Sequence, residues 1–189
     1  MKPTNYAGKI IIFEGTDHCG KTTIAQEFCK AHPEYQYFKI KQEHLDIKET
    51  DPNVLAHAHL LQLNFFLELA KQVDFRIVMD RFYPSEIVYG SLFREVNVKE
   101  LLKFDRIFAA LNTHIVLVEK SDDELEDALW TREQLIAIKD SYRLFFTDTK
   151  CKTICLNTDS EDLQWELNEI DKFISSNLDK IYVKKPTAE

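Results

Sequence analysis

Residues 13–23, FEGTDHCGKTT, constrain this chain more than any other stretch. They spell GxxxxGKT: Gly15, then Thr16, Asp17, His18 and Cys19, then Gly20, Lys21 and Thr22, with Thr23 following. Glycines at both ends of such a loop let successive backbone N–H groups turn inward, and the helix that follows offers its positive N-terminal end, so the whole run from Gly15 to Thr23 is suited to wrap a phosphate chain. Lys21 is expected to reach the β- and γ-phosphates, and the Thr22 hydroxyl to sit on a magnesium ion bridging the same oxygens. The context agrees. Lys9 to Phe13 (KIIIF) is a short apolar run of the kind that forms a buried parallel strand, and Ile24, Ala25, Phe28 and Cys29 recur at helical spacing after the loop. The competing explanation is an ordinary glycine turn between strand and helix.

A phosphate loop needs a body to hold it, and 189 residues, 44% of them hydrophobic, suit one compact unit, 1–189. A net charge of −8 gives no global basic field for non-specific nucleic-acid binding, although a local basic groove remains compatible with it. MKPTNYAGK at the start lacks the apolar core of a signal peptide, and no run of about 18 apolar residues occurs, so the expectation is a cytoplasmic protein without a membrane span. Cys19, Cys29, Cys151 and Cys155 contain no CxxC pair and read as free thiols, the last two as packing residues.

The remaining chain alternates strand and helix signals. His32 and Pro33 end the first helix, and Tyr35 to Lys41 (YQYFKIK) alternates like a strand leading to Gln42, Glu43 and His44. Asp51-Pro52 starts a helix running to about Val73, whose apolar residues nearly encircle it and predict burial of most faces. On it His59 and Gln62 share a face, either as hydrogen-bonding residues or as readers of a base, whereas His57 and His59 point apart and do not suit a shared metal. Phe75–Met79, His114–Val118 and Lys152–Leu156 complete a set of five strands. Helices are expected after Ser85, over Val98–Leu111, over an acidic SDDELEDALW segment begun by a Ser121/Glu124 capping box, from a Thr131/Gln134 box to Asp148, and over Ser160–Ser175. The pattern predicts an α/β architecture of three layers, a five-stranded parallel sheet with helices on both faces.

Ligands in such sheets bind beyond the carboxyl ends of the strands, which gathers the loops after Phe13, Lys41, Met79 and Val118 around one crevice. Asp80 is suited to hold magnesium opposite Thr22, directly or through a water, or to cap the helix that follows. Arg81 beside it presents a planar cation to a phosphate, or else forms a surface ion pair.

FEGTDHCGKTT, a strand ending in Asp80-Arg81-Phe82, then Ser85 and the Tyr89-Gly90 pair, resembles the thymidylate kinase-like branch of the nucleoside and nucleotide kinases. The likeness runs from Ile10 to Gly90; beyond it only the order of elements agrees. It implies a P-loop kinase fold that passes the γ-phosphoryl group of ATP to a deoxynucleotide, with Asp17 on the acceptor's sugar hydroxyl, Arg81 on phosphate and Tyr89 lining the acceptor pocket. Lys39, Lys41 and Glu43 stand where that family has an arginine after strand two, and the arginine expected near Asn64 is missing. The lid candidate, 119–133, carries only Arg132, with Arg143 eleven residues on. Glu43 lies where related deoxynucleoside kinases keep a general base for a sugar hydroxyl, and is otherwise a solvated loop carboxylate.

Three functions fit. The first is ATP- and magnesium-dependent transfer to a deoxynucleotide or nucleoside, with Lys21, Asp80, Arg81 and Glu43 as the chemical residues and Asp17, Glu43, His59, Gln62, Arg81 and Tyr89 toward the acceptor. The second changes the acceptor to a hydroxymethylated base in DNA. The third is a nucleotide-binding regulatory protein, disfavoured by the lack of an NKxD guanine-reading motif. A homodimer through the apolar 52–73 helix is one reading of that helix, an internal core the other.

Overall fold

Ile10–Glu14 (β1) is buried at every position, as a central strand covered on both faces must be. It opens a computed structural model that describes residues 10–39, 61–69, 75–94, 98–125 and 127–185. After β1 and the phosphate loop come Lys21–Ala31 (α1) and Gln36–Lys39 (β2). A helix whose described residues are 61–69 (α2) precedes Ile77–Asp80 (β3) and Tyr83–Tyr89 (α3), and α3 continues into a π-helical turn at Gly90–Arg94. Next are Lys99–Ala110 (α4), His114–Glu119 (β4), Arg132–Asp148 (α5), Lys152–Asn157 (β5), Leu163–Ser175 (α6) and Lys180–Lys184 (β6).

The strands form one parallel sheet in the order β2-β3-β1-β4-β5-β6. Six strands replace the expected five. The additional one, β6, alternates KIYVK with every second residue exposed, so it lacks the continuous apolar run that marks the interior strands. The direction in which successive strands are laid down reverses at β1, which has β3 on one side and β4 on the other, and the phosphate loop leaves β1 at that point.

Side chains alternate across the sheet and fill two cores. On one face Ile10, Ile12, Ile77, Met79, Ile115 and Leu117 pack with Leu63, Tyr83, Phe108 and Tyr142 from α2 to α5. On the other, Ile11, Phe13, Val78, Val116 and Val118 meet Ile24 and Phe28 of α1 and Ile170 and Phe173 of α6. The four cysteines are free thiols, and Cys151 and Cys155 are buried packing residues as expected.

Two helical expectations are corrected. The acidic segment after β4 forms only a 3₁₀ turn, Asp122–Glu124, because Ser121 turns away from a capping role and bonds Asp159 through both its backbone N–H (2.8 Å) and its hydroxyl. The Thr131/Gln134 capping box at the start of α5 is present in both directions. The expectation of burial around the 52–73 helix also fails where it is described: Leu63, Phe66 and Leu67 are buried, but Leu61 and Phe65 are 59% and 62% exposed. Apolar content alone did not reveal that α2 has one open side. Among the described residues no helix is long and apolar enough to cross a membrane.

Candidate active site

Gly15 follows β1 with φ 141°, and a Cβ there would lie 2.0 Å from the Val118 carbonyl oxygen of β4. Its requirement is thus close backbone packing as well as conformation. Gly20, with φ 89°, faces open space, so only its left-handed backbone demands glycine; it is the N-cap of α1 and offers no side chain to the first helical N–H groups. Between the two, Lys21 Nζ donates to the Thr16 carbonyl oxygen at 2.8 Å and lies 3.6 Å from Asp17 Oδ1. Burial lowers the Lys21 ammonium's pKa, partly offset by the negative groups around it. The Thr16 hydroxyl is buried without a partner, Thr23 is exposed, and Thr158 after β5 steadies the loop through a 3.0 Å bond to the Cys19 carbonyl.

Asp80 and Thr22 meet as the sequence predicts, Thr22 Oγ1 donating to Asp80 Oδ2 at 2.6 Å. Two further donors reach the same oxygen, Tyr37 Oη and Lys39 Nζ, each at 2.8 Å. Burial works to raise the Asp80 pKa, but the bonds from Lys39, Thr22 and Tyr37 prevail and hold it below the ordinary carboxylate value, so Asp80 is an anion. Asp80 Oδ1 is buried with no hydrogen-bond partner. An ionised carboxylate with one unclaimed oxygen beside a threonine hydroxyl is a donor set that suits magnesium, a hard cation that takes oxygen ligands and keeps several from water and phosphate. Among the described residues no cluster of three or more His, Cys, Asp or Glu side chains forms a metal cage of protein ligands alone.

Arg81 follows Asp80 in a left-handed conformation, φ 68°, which for a non-glycine residue costs about 1–3 kcal/mol. Its N–H still pairs with the Phe13 carbonyl at 2.9 Å, and its side chain turns into the crevice. One arm of the guanidinium donates to Asp17 Oδ1 at 2.6 Å; the other reaches Tyr142 Oη at 2.9 Å and Ser85 Oγ at 3.1 Å. Its carbon lies 5.3 Å from the centre of the Tyr89 ring. Burial raises the Asp17 pKa less than Arg81 and Lys21 lower it, and Asp17 stays ionised. Beneath this cluster sits Glu14, fully buried, accepting from Phe82 N at 2.8 Å, Ser85 Oγ at 2.6 Å and Tyr142 Oη at 3.1 Å. Burial raises its pKa, and Arg81 together with these donors opposes the rise.

Glu14, Tyr142, Tyr37 and Lys39 are site residues that the sequence reading did not assign. Glu14 had a visible signal, a carboxylate ending an otherwise apolar strand next to the first loop glycine. Tyr37 and Lys39 had another: two apart on a strand, they share a face. Tyr142 comes from α5, far away in sequence, and only the fold brings it near.

Tyr89 faces an aromatic group in which Phe93 stacks on Trp130 at 4.6 Å and Tyr89 lies 6.0 Å from Trp130, and its hydroxyl is buried. Trp130 and Arg132 also line a cleft of about 750 Å³ together with His18, Lys120, Asp123 and Leu135. His18 Nε2, exposed, is 3.4 Å from Oδ2 of the nearly buried Asp127 side chain, and Arg132 is paired with Asp123 at 2.7 Å on the surface. Arg143 does not join Arg132. It makes a two-pronged pair with Glu119, 2.9 Å at each contact, and Tyr182 of β6 donates to the same carboxylate at 2.5 Å. Glu43 and His59 lie outside the described residues; Gln62, on α2, has a buried side-chain oxygen without a partner.

No family model matches the chain, and no curated protein matches it in sequence. Solved structures do match. The Bacillus subtilis protein YorR, solved in complex with phosphorylated GDP, superposes with a TM-score of 0.63 at 21% identity over 87% of this chain and 95% of its own. Thymidylate kinase from Ehrlichia chaffeensis gives 0.57 at 15% identity over 89% and 100%, and that from Candida albicans 0.55 at 16% over 89% and 94%. With these likenesses and the parallel sheet around its phosphate loop, the chain has the thymidylate kinase-like P-loop kinase fold.

Proposed function

We propose that this protein is a magnesium-dependent phosphotransferase that moves the γ-phosphoryl group of ATP to a small-molecule nucleotide or nucleoside, a deoxynucleotide or deoxynucleoside in the first instance. The observation that carries this reading is the convergence of two charged sets beyond β1 and β3: Lys21 with Thr22 and Asp80 on one side, Asp17 with Arg81 and Tyr89 on the other. A single-ligand switch needs only the first set.

In this reading the backbone N–H groups of Gly15 to Thr23 and the Lys21 ammonium hold the donor phosphates, and Thr22 and Asp80 hold the metal. Magnesium, when bound, neutralises charge on the phosphate oxygens. Asp17 accepts a hydrogen bond from the acceptor's sugar, Arg81 donates to the transferring or acceptor phosphate, and the Tyr89, Phe93 and Trp130 rings offer apolar surface to a base. A bond forms between the acceptor oxygen and the γ-phosphorus, the bond to the β–γ bridging oxygen breaks, and its electron pair leaves with ADP. Where the acceptor is a sugar hydroxyl, its proton passes to a general base, the role for which Glu43 is the candidate. Fixed positive groups speed such a transfer mainly by positioning and charge stabilisation. Gln62, Glu43 and His59 remain acceptor-side candidates. The whole chain forms one kinase domain, 119–133 serves as its lid, and Arg132 is the lid's arginine.

The test is an acceptor panel. Labelled ATP and magnesium are incubated with the protein and with deoxynucleoside mono- and diphosphates, nucleosides and duplexes containing hydroxymethylated bases. Guanine nucleotides are included because the YorR structure holds phosphorylated GDP. Label on a small nucleotide or nucleoside is expected; label on duplex only would move the acceptor to DNA, and ATP consumption without a labelled acceptor would favour a regulatory role.

A further inference from the structure

Lys39 touches the two residues, Thr22 and Asp80, that the proposed function assigns to magnesium. Its Nζ lies 2.8 Å from Asp80 Oδ2 and 3.1 Å from Thr22 Oγ1, while Thr22 Oγ1 donates to that same Asp80 oxygen at 2.6 Å. The proton of the Thr22 hydroxyl is directed at Asp80 and a lone pair at Lys39, so a metal ligated by Thr22 shares that oxygen with an ammonium. The contact is built into the sheet. Lys39 ends β2, Asp80 ends β3, and the two are register partners. Tyr37, two residues earlier on the same face, adds its hydroxyl to Asp80 Oδ2. Three donors thus converge on one carboxylate oxygen while Oδ1, buried, has none.

We propose that Lys39 is an exchangeable counter-ion of the metal site: its ammonium neutralises Asp80 and engages Thr22 in the nucleotide-free protein, and magnesium arriving with nucleotide displaces it onto a phosphate oxygen. This rests on Thr22 and Asp80 being the magnesium contacts. An ammonium and a divalent cation held on the same carboxylate and the same hydroxyl lie close enough to repel each other strongly. A metal ion arriving alone must expel the ammonium with no anion to receive it. Arriving with a polyphosphate, it brings the receiving anion. The Lys39 head is a compact charge on a flexible four-carbon stem and its side chain is 33% exposed, so it can turn toward the crevice while β2 stays paired. The consequence is coupling: the protein holds a divalent ion poorly by itself and well together with nucleotide, by a larger factor than its oxygen ligands alone would give.

Manganese, read by electron paramagnetic resonance, serves as the probe, with and without ADP. The wild-type protein is expected to bind manganese weakly alone and much more tightly with ADP. Lys39→Met, similar in length and uncharged, is expected to tighten manganese binding in the absence of nucleotide by roughly tenfold, shrinking the enhancement by ADP. Lys39→Arg, which keeps a cation there, is expected to behave like the wild type. Circular dichroism checks each fold, and Lys39→Gln replaces the methionine variant if that one does not fold. Equal manganese affinity of the wild-type and neutralised proteins without ADP overturns the exchange. If ADP fails to enhance manganese binding to the wild type at all, the nucleotide-site reading falls and the exchange falls with it.

Discussion

The guanidinium of Arg81 and the carboxylate of Asp17 meet at 2.6 Å, tying the residue that follows β3 to the loop that follows β1. Arg81 reaches Asp17 with one arm and Tyr142 and Ser85 with the other, a division that a planar fork allows and a single ammonium does not. Arg81→Lys is therefore expected to keep the charge and lose the arrangement. We expect kcat/KM to fall about 100-fold with the acceptor identified by the panel, while the affinity for ADP changes little. Steady-state kinetics beside calorimetric ADP binding separates the two effects.

Lys21 is the cation held on the phosphate loop itself. Lys21→Ala should reduce turnover by at least about a thousandfold while the far-ultraviolet circular dichroism stays that of the parent. Full activity in that variant would refute the donor site.

Gly15 and Gly20 are predicted to respond differently to alanine. At Gly15 the added methyl carbon meets the Val118 carbonyl at 2.0 Å, backbone against backbone in the centre of the sheet. A loss of about 3 kcal/mol or more is expected there, or no soluble protein. At Gly20 the space is open and only the positive φ opposes the change, so about 1 kcal/mol is expected. Urea unfolding of the two variants checks the difference.

His114 opens β4 at the end of the sheet away from the phosphate loop; it is 1% exposed and packs edge-on against Phe173. Burial, helped by the charge of Lys152, pushes its pKa from 6.5 down to about 4. Between those values the unfolded chain binds a proton that the folded chain does not. Stability present above pH 6.5 is consequently lost as pH falls toward 4, by up to about 3 kcal/mol. His114→Gln should flatten this acid limb in denaturation curves taken from pH 7.5 to 4, whatever its effect on absolute stability.

Much of this was legible beforehand, and what was not has physical reasons. GxxxxGKT after KIIIF was readable because a phosphate loop needs glycine and lysine at fixed spacing, and Asp80-Arg81 because charge directly after an apolar strand marks a sheet's carboxyl edge. β6 escaped because an exposed edge strand need not be apolar. Arg143 looked available to the lid because sequence does not show that Glu119 and Tyr182 hold it. Tyr142 reaches the Arg81 cluster from an element 61 residues away. Such a contact leaves no local pattern. Lys39 was visible only as a substitute for an arginine; its bond to Asp80 follows from strand register, which a single strand's sequence does not disclose.

Glu119 sits where β4 hands over to the 119–133 segment, and it is gripped from two sides, by Arg143 of α5 and by Tyr182 of β6. β6 thus anchors the point where that segment begins. The start of that segment is thereby moored to the far margin of the sheet, so damage near residue 182 should be felt at the mouth of the crevice.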